Sequence, residues 1–296
     1  MDKVAIIGFG YVGQAIFRFL SGKFKLSVVD PLYSSSGSWG PPFHEVIIIG
    51  GKCYPHIPEE GFADHILSVV CVPTNMLSDG SCDMSIVEDV VSKLKTGVIL
   101  IKSTVIPGTT LELSQKYKKS LVFSPEFIGE GKYFVPYWKG YQDPLDMKKH
   151  QFFIFGGGRS DVCVDIWKRV AGWAPDYIQT DPTIAEIVKY AENAFLATRV
   201  AFFNTFYDIC QIYSVDYNEF VQVLSYDKRI GKEMSVVNSN SRGYRSKCLD
   251  KDIPAIIKAV EKESNDEYHP MVLQAVLEYN ELLGGGEEVG KRDKEA

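Results

Sequence analysis

A long stretch from Thr183 to Ile212 constrains the fold of this chain more than any other feature of the sequence. Its apolar residues recur around the whole helical circumference. Between Thr183 and Gly231 the sequence contains no glycine or proline. We predict one helix of roughly 45 Å, since each helical residue adds about 1.5 Å. Thr183 and Glu186 have the spacing of a capping box at its start. A helix that is apolar on every side has to be covered by more than one layer of structure.

Two polar residues on this helix require an explanation. Lys189 and Asn193 are four residues apart, so their side chains point the same way. A buried charge is unfavourable unless it is paired or used, which makes both residues candidates for a functional site. In the alternative interpretation, Lys189 extends along its own methylenes to solvent and Asn193 is satisfied locally.

Composition excludes several classes of protein. The chain has 296 residues, 45% of them hydrophobic, and this is enough for two domains with separate cores. A net charge of -6 argues against a general nucleic-acid binder. No apolar run approaches the roughly 18 residues that span a membrane, so we expect a cytoplasmic protein. The six cysteines form no C-x-x-C pair, which favours reduced thiols and no metal site.

A glycine-rich turn, Gly8-Phe9-Gly10-Tyr11-Val12-Gly13, follows a predicted strand from Val4 to Ile7 and leads into a helix from Gln14 to Leu20. A second predicted strand, Leu26 to Val29, ends at Asp30. This arrangement lets the backbone approach a pyrophosphate while the acid accepts ribose hydroxyls. Asp30 would repel a 2'-phosphate, so the predicted cofactor is NAD; the alternative is a tight turn without a ligand. The cofactor-binding candidates here are Gly8, Gly10, Tyr11, Val12, Gly13 and Asp30.

Strands and helices continue to alternate at short spacing, which favours a Rossmann-type, doubly wound parallel α/β sheet. Ligands of such sheets bind beyond the carboxyl ends of the strands, where this sequence has Thr74, Thr104 and Glu126. The predicted strands are Val46–Ile49, Ile66–Val72, Val98–Lys102, Leu121–Phe123, Phe152–Phe155 and a short one at Tyr177. The predicted helices are Asp83–Leu94, Thr109–Tyr117 and Asp161–Val170, followed after the long helix by Asn218–Ser225, Asp252–Lys262 and Met271–Leu283.

These elements divide the chain into three parts. We predict a NAD-binding Rossmann domain over 1–181, the long helix with an all-α domain over 182–283, and a flexible charged tail over 284–296. One small α domain cannot cover so many apolar side chains on the long helix. We therefore expect a homodimer that buries this helix.

Six runs, in order, resemble the nucleotide-sugar 6-dehydrogenases, the family of UDP-glucose and GDP-mannose dehydrogenases. They are GFGYVG, CVPTN, KSTVIPGTT, SPEFIGEG, AEIVKYAENAFLATRVAFFN and KCLDKD, and the resemblance extends from residue 4 to about 283. It implies a four-electron oxidation of a sugar C6 alcohol to a carboxylate with two NAD per turnover. It also implies that the all-α part forms the dimer interface.

The resemblance assigns roles to individual residues. Cys248 would trap the aldehyde as a thiohemiacetal that is then oxidised to a thioester. Lys189 and Asn193 would stabilise the oxyanion, Asp252 would position or activate water, and Glu126 would assist thioester hydrolysis. Lys247 and Lys251 flank the cysteine and could favour its thiolate. The positions matching the family's cofactor side are Thr74, Thr104, Glu130 and Lys251.

The chain departs from the family in ways that leave two other functions open. The family's glycine-rich loop before the cysteine is Asn240 to Ser246 here and retains only Gly243. We also expect the chain to lack the family's C-terminal nucleotide-binding domain. One alternative is a two-electron 3-hydroxyacid-type dehydrogenase, which shares the Lys-x-x-x-Asn pattern and needs no cysteine. The other is a NAD-binding dimer without turnover.

Overall fold

The computed structural model describes residues 1–33, 43–128, 146–232, 234–246 and 248–284. These form two compact units, one over Met1–Asn75 and Asp83–Lys189 and one over Met76–Cys82 and from Tyr190 onward. The division falls inside the long helix rather than before it. The domain limits at 181 and 283 stay predictions, and the predicted tail lies outside the described residues after Gly284.

The first unit is built on an eight-stranded sheet in the order β3-β2-β1-β4-β5-β6-β7-β8. All neighbouring strands pair parallel except β6 and β7, which are antiparallel through Phe123 and Gly156. The predicted doubly wound α/β sheet is confirmed, with a reversed pair of strands at one edge. The strands are β1 (Lys3–Ile7), β2 (Lys25–Val29), β3 (Lys52–Tyr54), β4 (Leu67–Val70), β5 (Ile99–Ile101), β6 (Leu121–Phe123), β7 (Phe152–Gly156) and β8 (Asp176–Thr180).

Helices cover both faces of this sheet because successive strand residues point to opposite sides. Ile6 lies in one hydrophobic core with Phe17 and Trp167, while Ile7 lies in the other with Val87 and Leu113. The helices of this unit are α1 (Tyr11–Leu20), α2 (Phe43–Ile48), α3 (Ser85–Lys93), α4 (Thr109–Tyr117), α5 (Ser160–Ala171) and the start of α6 (Pro182–Ile212), with a short 3-10 turn at Met147–Lys149.

The predicted strand from Val46 to Ile49 is wrong. These residues lie in and just after α2, and the edge strand is β3, which follows them. A β-branched run resembles a strand by propensity, but here Val46 is fully buried while Ile48 is 70% exposed. Packing of one helical face has therefore overridden the local preference.

The predicted capping box at the start of α6 is also wrong. The Asp181 carboxylate accepts hydrogen bonds from the backbone N–H groups of Thr183 and Ile184 at 2.8 and 3.4 Å. Glu186 is fully buried and accepts instead from Gly108 N at 2.6 Å, Thr110 N at 2.8 Å and Thr110 Oγ1 at 2.6 Å. Glu186 thus caps α4, while burial holds its pKa above the usual range despite these bonds.

The second unit is helical and is organised by the rest of α6. Ala194, Ala197 and Ala201 form a buried row on α6 that packs against Ile253 and Val276. Small side chains in such a row allow helices to approach closely. The other helices are α7 (Tyr217–Leu224), α8 (Leu249–Glu263) and α9 (Met271–Leu282). Among the helices described, none has the length and apolar character needed to cross a membrane.

Replacing Glu186 should destabilise the protein. We expect Glu186→Ala to lower the free energy of unfolding by roughly 1–3 kcal/mol, because two buried donors of Thr110 and the partly buried Gly108 N–H lose their acceptor. Glu186→Gln preserves the shape but turns an NH₂ group toward N–H donors, so it should destabilise as well. Urea unfolding followed by circular dichroism measures both changes.

The control is Asp165→Ala, which removes an exposed acid from α5 of the same unit. Its effect should stay within about 0.5 kcal/mol. If Glu186→Gln unfolded at the same urea concentration as this control, the carboxylate would not be a stabilising cap.

Candidate active site

The three glycines of the turn after β1 have different surroundings. Gly8 has φ of +90°, and a Cβ atom there would lie 2.5 Å from the Cys71 carbonyl oxygen. A Cβ atom at Gly13 would lie 2.1 Å from the Gly8 carbonyl oxygen, whereas at Gly10 it would meet nothing within 4 Å. Gly8 and Gly13 are therefore required for packing. Gly10 leaves an open surface at the start of α1, where backbone N–H groups can receive a pyrophosphate.

Asp30 is fixed beside this turn. Its Oδ2 accepts from Phe9 N at 2.7 Å and its Oδ1 from Leu32 N at 2.9 Å. The carboxylate is partly exposed, and each oxygen keeps a further lone pair for a ribose hydroxyl. Tyr11 is 57% exposed at the first turn of α1, and Val12 packs partly against the core. These residues fit a dinucleotide.

The other cofactor candidates follow the next strands. Thr74 comes after β4 and is buried, and Thr104 comes after β5 and is partly exposed. Ser103 joins these strand ends because its hydroxyl donates to the Val72 carbonyl oxygen at 2.7 Å. Glu130 lies outside the described residues.

A buried ion pair joins Glu126 and Lys189 in the first unit. Lys189 Nζ donates to the Glu126 carbonyl oxygen at 2.8 Å and lies 3.3 Å from Glu126 Oε1. Burial acts to raise the pKa of Glu126, but Lys189, the Ile128 N–H and Lys102 together hold it below the usual range. Lys189 is only 4% exposed, so it is not the solvent-reaching lysine of the alternative interpretation. Glu126 is positioned as a carboxylate that can accept a proton.

Lys102 was missed by the sequence analysis. It is 4% exposed directly after β5, and its Nζ donates to Pro125 O at 2.8 Å and Ser124 Oγ at 3.2 Å. Burial lowers the pKa of Lys102 to about 8, although the Glu126 charge opposes this shift. The available signal was a lysine at the end of a purely aliphatic strand, where a charge needs a specific partner.

A second polar group lies in the helical unit. Asn193 Nδ2 donates to Asp252 Oδ2 at 2.6 Å, and Lys251 Nζ donates to Asp252 Oδ1 at 2.5 Å. Asp252 is 1% exposed, so these two donors replace the hydrogen bonds that its carboxylate would form with water. Lys251, a candidate for the cofactor, is here a partner of Asp252.

Cys248 is the N-cap residue of α8. This helix begins at Leu249, three residues before the start predicted at Asp252. Its carbonyl oxygen accepts from Asp252 N at 2.9 Å, so the two residues are one helical turn apart. The thiol is partly buried and forms no disulfide. A helix N-terminus stabilises a thiolate through the helix dipole and the free N–H groups. Lys247, the other residue expected to favour the thiolate, lies outside the described residues.

Side chains fix the loop that precedes Cys248. Gly243 has φ of +75°, and a Cβ atom there would lie 2.4 Å from Asn280 Oδ1. Asn280 accepts from Tyr244 N at 2.8 Å and donates to Tyr244 O at 3.2 Å. Arg242 donates to both carboxylate oxygens of Asp208, at 2.8 and 2.9 Å, and to the Asn204 side chain. None of Asn204, Asp208 and Asn280 was identified from the sequence.

No cluster of three His, Cys, Asp or Glu side chains suited to a metal ion occurs among the described residues.

Comparisons with known proteins place both units in one family. The NAD binding domain of the UDP-glucose/GDP-mannose dehydrogenase family matches residues 58–139, and the central domain of the same family matches residues 183–282. These two matches together cover more than half of the chain. NAD is thus the cofactor of the first unit.

Curated relatives extend over most of the chain. UDP-glucose 6-dehydrogenase AglM of Haloferax volcanii is 25% identical over 94% of this chain and 69% of its own length. UDP-glucose 6-dehydrogenase of Rickettsia conorii is 28% identical, but the alignment covers 74% of this chain and 49% of the relative. Since the alignments leave a third to a half of each relative unmatched, the activity of the whole enzymes comes to this chain only as a proposal.

Solved structures show the same fold. A UDP-glucose dehydrogenase from Pyrobaculum islandicum has a TM-score of 0.77 at 23% identity and covers 95% of this chain and 68% of that one. The UDP-D-ManNAc dehydrogenase from Pyrococcus horikoshii has a TM-score of 0.74 at 20% identity, with the same coverage. At these identities the likeness establishes the architecture alone.

Alanine at Gly10 and at Gly13 should have separate effects. Gly10→Ala adds a methyl group to open space, so the thermal midpoint should stay unchanged while the dissociation constant for NAD rises roughly tenfold or more. Gly13→Ala forces a contact with the Gly8 carbonyl oxygen, so the thermal midpoint itself should fall. Thermal melting and calorimetric titration with NAD measure the two quantities. Unchanged NAD affinity in folded Gly10→Ala would contradict a cofactor at this turn.

Proposed function

Because the chain belongs to the UDP-glucose/GDP-mannose dehydrogenase family, we propose that it oxidises the C6 alcohol of a nucleotide sugar to the carboxylate. Membership places the chain in a family of NAD-dependent oxidoreductases. The substrate and the role of the cysteine are what we propose. All six cysteines are free thiols, which supports a reducing compartment such as the cytoplasm.

One observation carries this proposal. Cys248 stands at the N-terminus of α8, and Asp252 follows one turn later, held by Asn193 and Lys251. A potential nucleophile therefore stands at the N-terminus of a helix, and a buried acid is fixed one turn later on the same helix. A two-electron dehydrogenase has no need of such a thiol.

The proposed reaction is two oxidations followed by hydrolysis. NAD⁺ held at the turn after β1 and by Asp30 would serve as the oxidant, one molecule for each hydride lost from the substrate C6. The first oxidation also releases the hydroxyl proton and leaves an aldehyde. The Cys248 thiolate then adds to the aldehyde carbon, and the oxygen takes up a proton to give a thiohemiacetal. Loss of a second hydride and that proton leaves a thioester. Water attacks the thioester carbon, the C–S bond breaks, and the carboxylate and thiolate form as the water gives up two protons, the first to Glu126 and the second to solvent.

The polar residues have separate roles in this scheme. Lys189 and Asn193 are proposed to stabilise the negative oxygen that develops at C6. Asp252 is proposed to orient the attacking water. Glu126, which the structure holds in its ionised form, is proposed to accept the proton of that water during hydrolysis.

The loop before Cys248 favours a sugar held differently from that in the family. Arg245 and Ser246 replace glycines whose bare backbone holds the sugar in the family. The side chains of Arg242 and Asn280 fix the loop through hydrogen bonds. We propose that this chain accepts a nucleotide sugar of the same chemical class in an altered orientation.

Nucleotide sugars should reduce NAD through Cys248. We expect one or more of UDP-glucose, UDP-N-acetylmannosamine and GDP-mannose to give two NADH per carboxylate formed. Cys248→Ala should abolish the second NADH, whereas Cys53→Ala should leave the stoichiometry unchanged. Cys53 is the control because burial raises its pKa to about 11 and keeps it a neutral thiol. Absorbance at the NADH band and chromatography of the product measure both quantities.

The rival functions give different results in the same assay. One NADH per product with a fully active Cys248→Ala would establish a two-electron dehydrogenase. Tight NAD binding without NADH from any of the sugars would establish a binding protein without turnover. Accumulation of a covalent adduct in Glu126→Gln, absent after Cys248→Ala is added, would support the thioester route by intact-protein mass.

The helix α6 supports the proposal of a homodimer. Phe195, Phe202 and Ile209 occur every seven residues and are 61%, 46% and 36% exposed. This spacing forms an apolar seam on one face of a helix, and exposed seams of this kind pair with a second helix. A second copy of α6 presents the same seam, so a two-fold dimer can bury both.

An acid in this seam should separate the subunits. We expect Phe202→Asp to give a mass near the 33.2 kDa of one chain at micromolar concentration, because pairing would bury two carboxylates. Tyr226→Asp places the same charge at a side chain that is 81% exposed and outside α6, and it should leave the dimer intact. Light scattering measures the mass. A monomeric wild-type protein would disprove the dimer.

A further inference from the structure

Lys102 is a second buried ammonium beside Glu126, and the proposed reaction gives it no role. Its Nζ donates to the carbonyl oxygen of Pro125 at 2.8 Å and to Ser124 Oγ at 3.2 Å. These are the two residues that precede Glu126 after β6. Lys102 therefore fixes the backbone that carries the carboxylate from one side, while Lys189 donates to the Glu126 carbonyl oxygen from α6.

The carboxylate itself is surrounded by donors and cations. Glu126 Oε2 accepts from Ile128 N at 2.8 Å, and Lys189 Nζ lies 3.3 Å from Oε1. Lys102 interacts with both Glu126 and Lys189 electrostatically, so the buried cluster contains two cations and one anion. The second cation requires desolvation of another ammonium, which is a large penalty unless the charge has a use.

A cavity of about 10 Å³ lies against these groups. Lys102, Glu126 and His150 supply its polar lining, and Phe127 and Met147 are among its apolar walls. This volume is close to the minimum for one water molecule, and a buried water needs two or more polar partners. The cavity is therefore at the lower limit for one water molecule beside Lys102 and Glu126.

The remaining titratable groups near the cluster do not substitute for Lys102. Burial raises the pKa of both Cys71 and Cys163 to about 12, so these thiols are neutral at physiological pH. His150 packs against the ring of Phe153 and forms one side of the cavity. Lys189 is already engaged with the Glu126 carbonyl and carboxylate oxygens.

We propose that Lys102 is a positioning residue for Glu126, because it holds the preceding backbone and, across the water-sized cavity, keeps the carboxylate in its charged form. This inference rests on the proposed function, in which Glu126 accepts a proton from water during thioester hydrolysis. Burial lowers the pKa of Lys102 to about 8, so the ammonium is present below this pH and is lost as the pH rises through it. Since the pKa of Glu126 lies below its usual range, the carboxylate is still charged at pH 8, and the effect of the Lys102 charge on hydrolysis is expected at the acid limb.

The titration of Glu126 tests the inference without turnover. Its δ-carboxyl carbon is observed by NMR of protein carrying ¹³C-glutamate and is assigned by the loss of one signal in Glu126→Gln. We expect Lys102→Met and Lys102→Gln to raise the Glu126 titration midpoint by about one pH unit or more, since a neighbouring cation is lost. Lys102→Arg retains the charge and should stay near wild type. Lys102→Gln loses the charge but retains a hydrogen-bond donor. It therefore separates the effect of the charge on Glu126 from that of the hydrogen bonds to Ser124 and Pro125.

The matched control is Lys119→Met. Lys119 Nζ also donates to two backbone carbonyl oxygens, those of Val91 and Ser92, each at 2.7 Å. Its removal should leave the Glu126 midpoint unchanged. The wild-type protein provides a further test. Its Glu126 signal should show a second inflection near pH 8, when Lys102 loses its proton. An unchanged midpoint in both neutral variants, or no second inflection in wild type, would overturn the inference.

The pH profile of hydrolysis extends the test to the reaction. The rate of thioester decay, followed by intact-protein mass, should show an acid limb that moves upward in Lys102→Met by the same amount as the Glu126 midpoint. The acid limb should keep its wild-type position in Lys119→Met. A tether without an electrostatic role would slow decay equally at every pH. Absence of NADH from the wild-type protein would disprove the proposed function, whereas the Glu126 titration alone decides the role of Lys102 toward the carboxylate.

Discussion

Buried polar side chains on the helix α6 are the constraint on which the rest of this structure depends. In the first unit, Glu186 caps α4, and Lys189 holds the segment around Glu126. In the second unit, Asn193 donates to Asp252 at the start of α8. Because an unpaired buried polar group is strongly unfavourable, each of these side chains fixes the segment that supplies its partner. Glu186, which stabilises the fold, and Lys189 and Asn193, which are proposed to act in catalysis, therefore lie on the same helix.

The two units hold their functional segments by opposite means. The turn after β1 depends on missing side chains, since Gly8 and Gly13 leave no room for a Cβ atom. The loop before Cys248 depends on side chains, because Arg242 and Asn280 fasten it through several hydrogen bonds. A bare backbone suits close approach of a pyrophosphate. A fastened loop instead gives the cysteine a defined position at the cost of the freedom that glycine provides.

The periodicity of the sequence predicted the order of helices and strands well. It predicted poorly which residues cap or pair with one another. The limits of α4 and β6 agree with the predictions, since both are bounded by clear turn signals. The strand predicted at Val46–Ile49 and the capping box at Glu186 failed for one reason. A β-branched run and a Thr-x-x-Glu spacing fit several structures, and only the neighbouring elements select among them. Lys102 was overlooked because its place after an aliphatic strand indicates burial but does not show which partners it will meet.

The sequence alone determined the fold class, the NAD-type turn and the family, because these depend on the spacing of residues close together in the chain. The tertiary structure decided which polar residues meet. Glu126 and Lys189 are far apart in sequence, as are Asn193 and Asp252, and their pairing follows from the packing of α6. The ionisation of Glu126 and Lys102 was also decided there, since a pKa depends on burial and on neighbouring charges in space, which spacing along the chain does not specify.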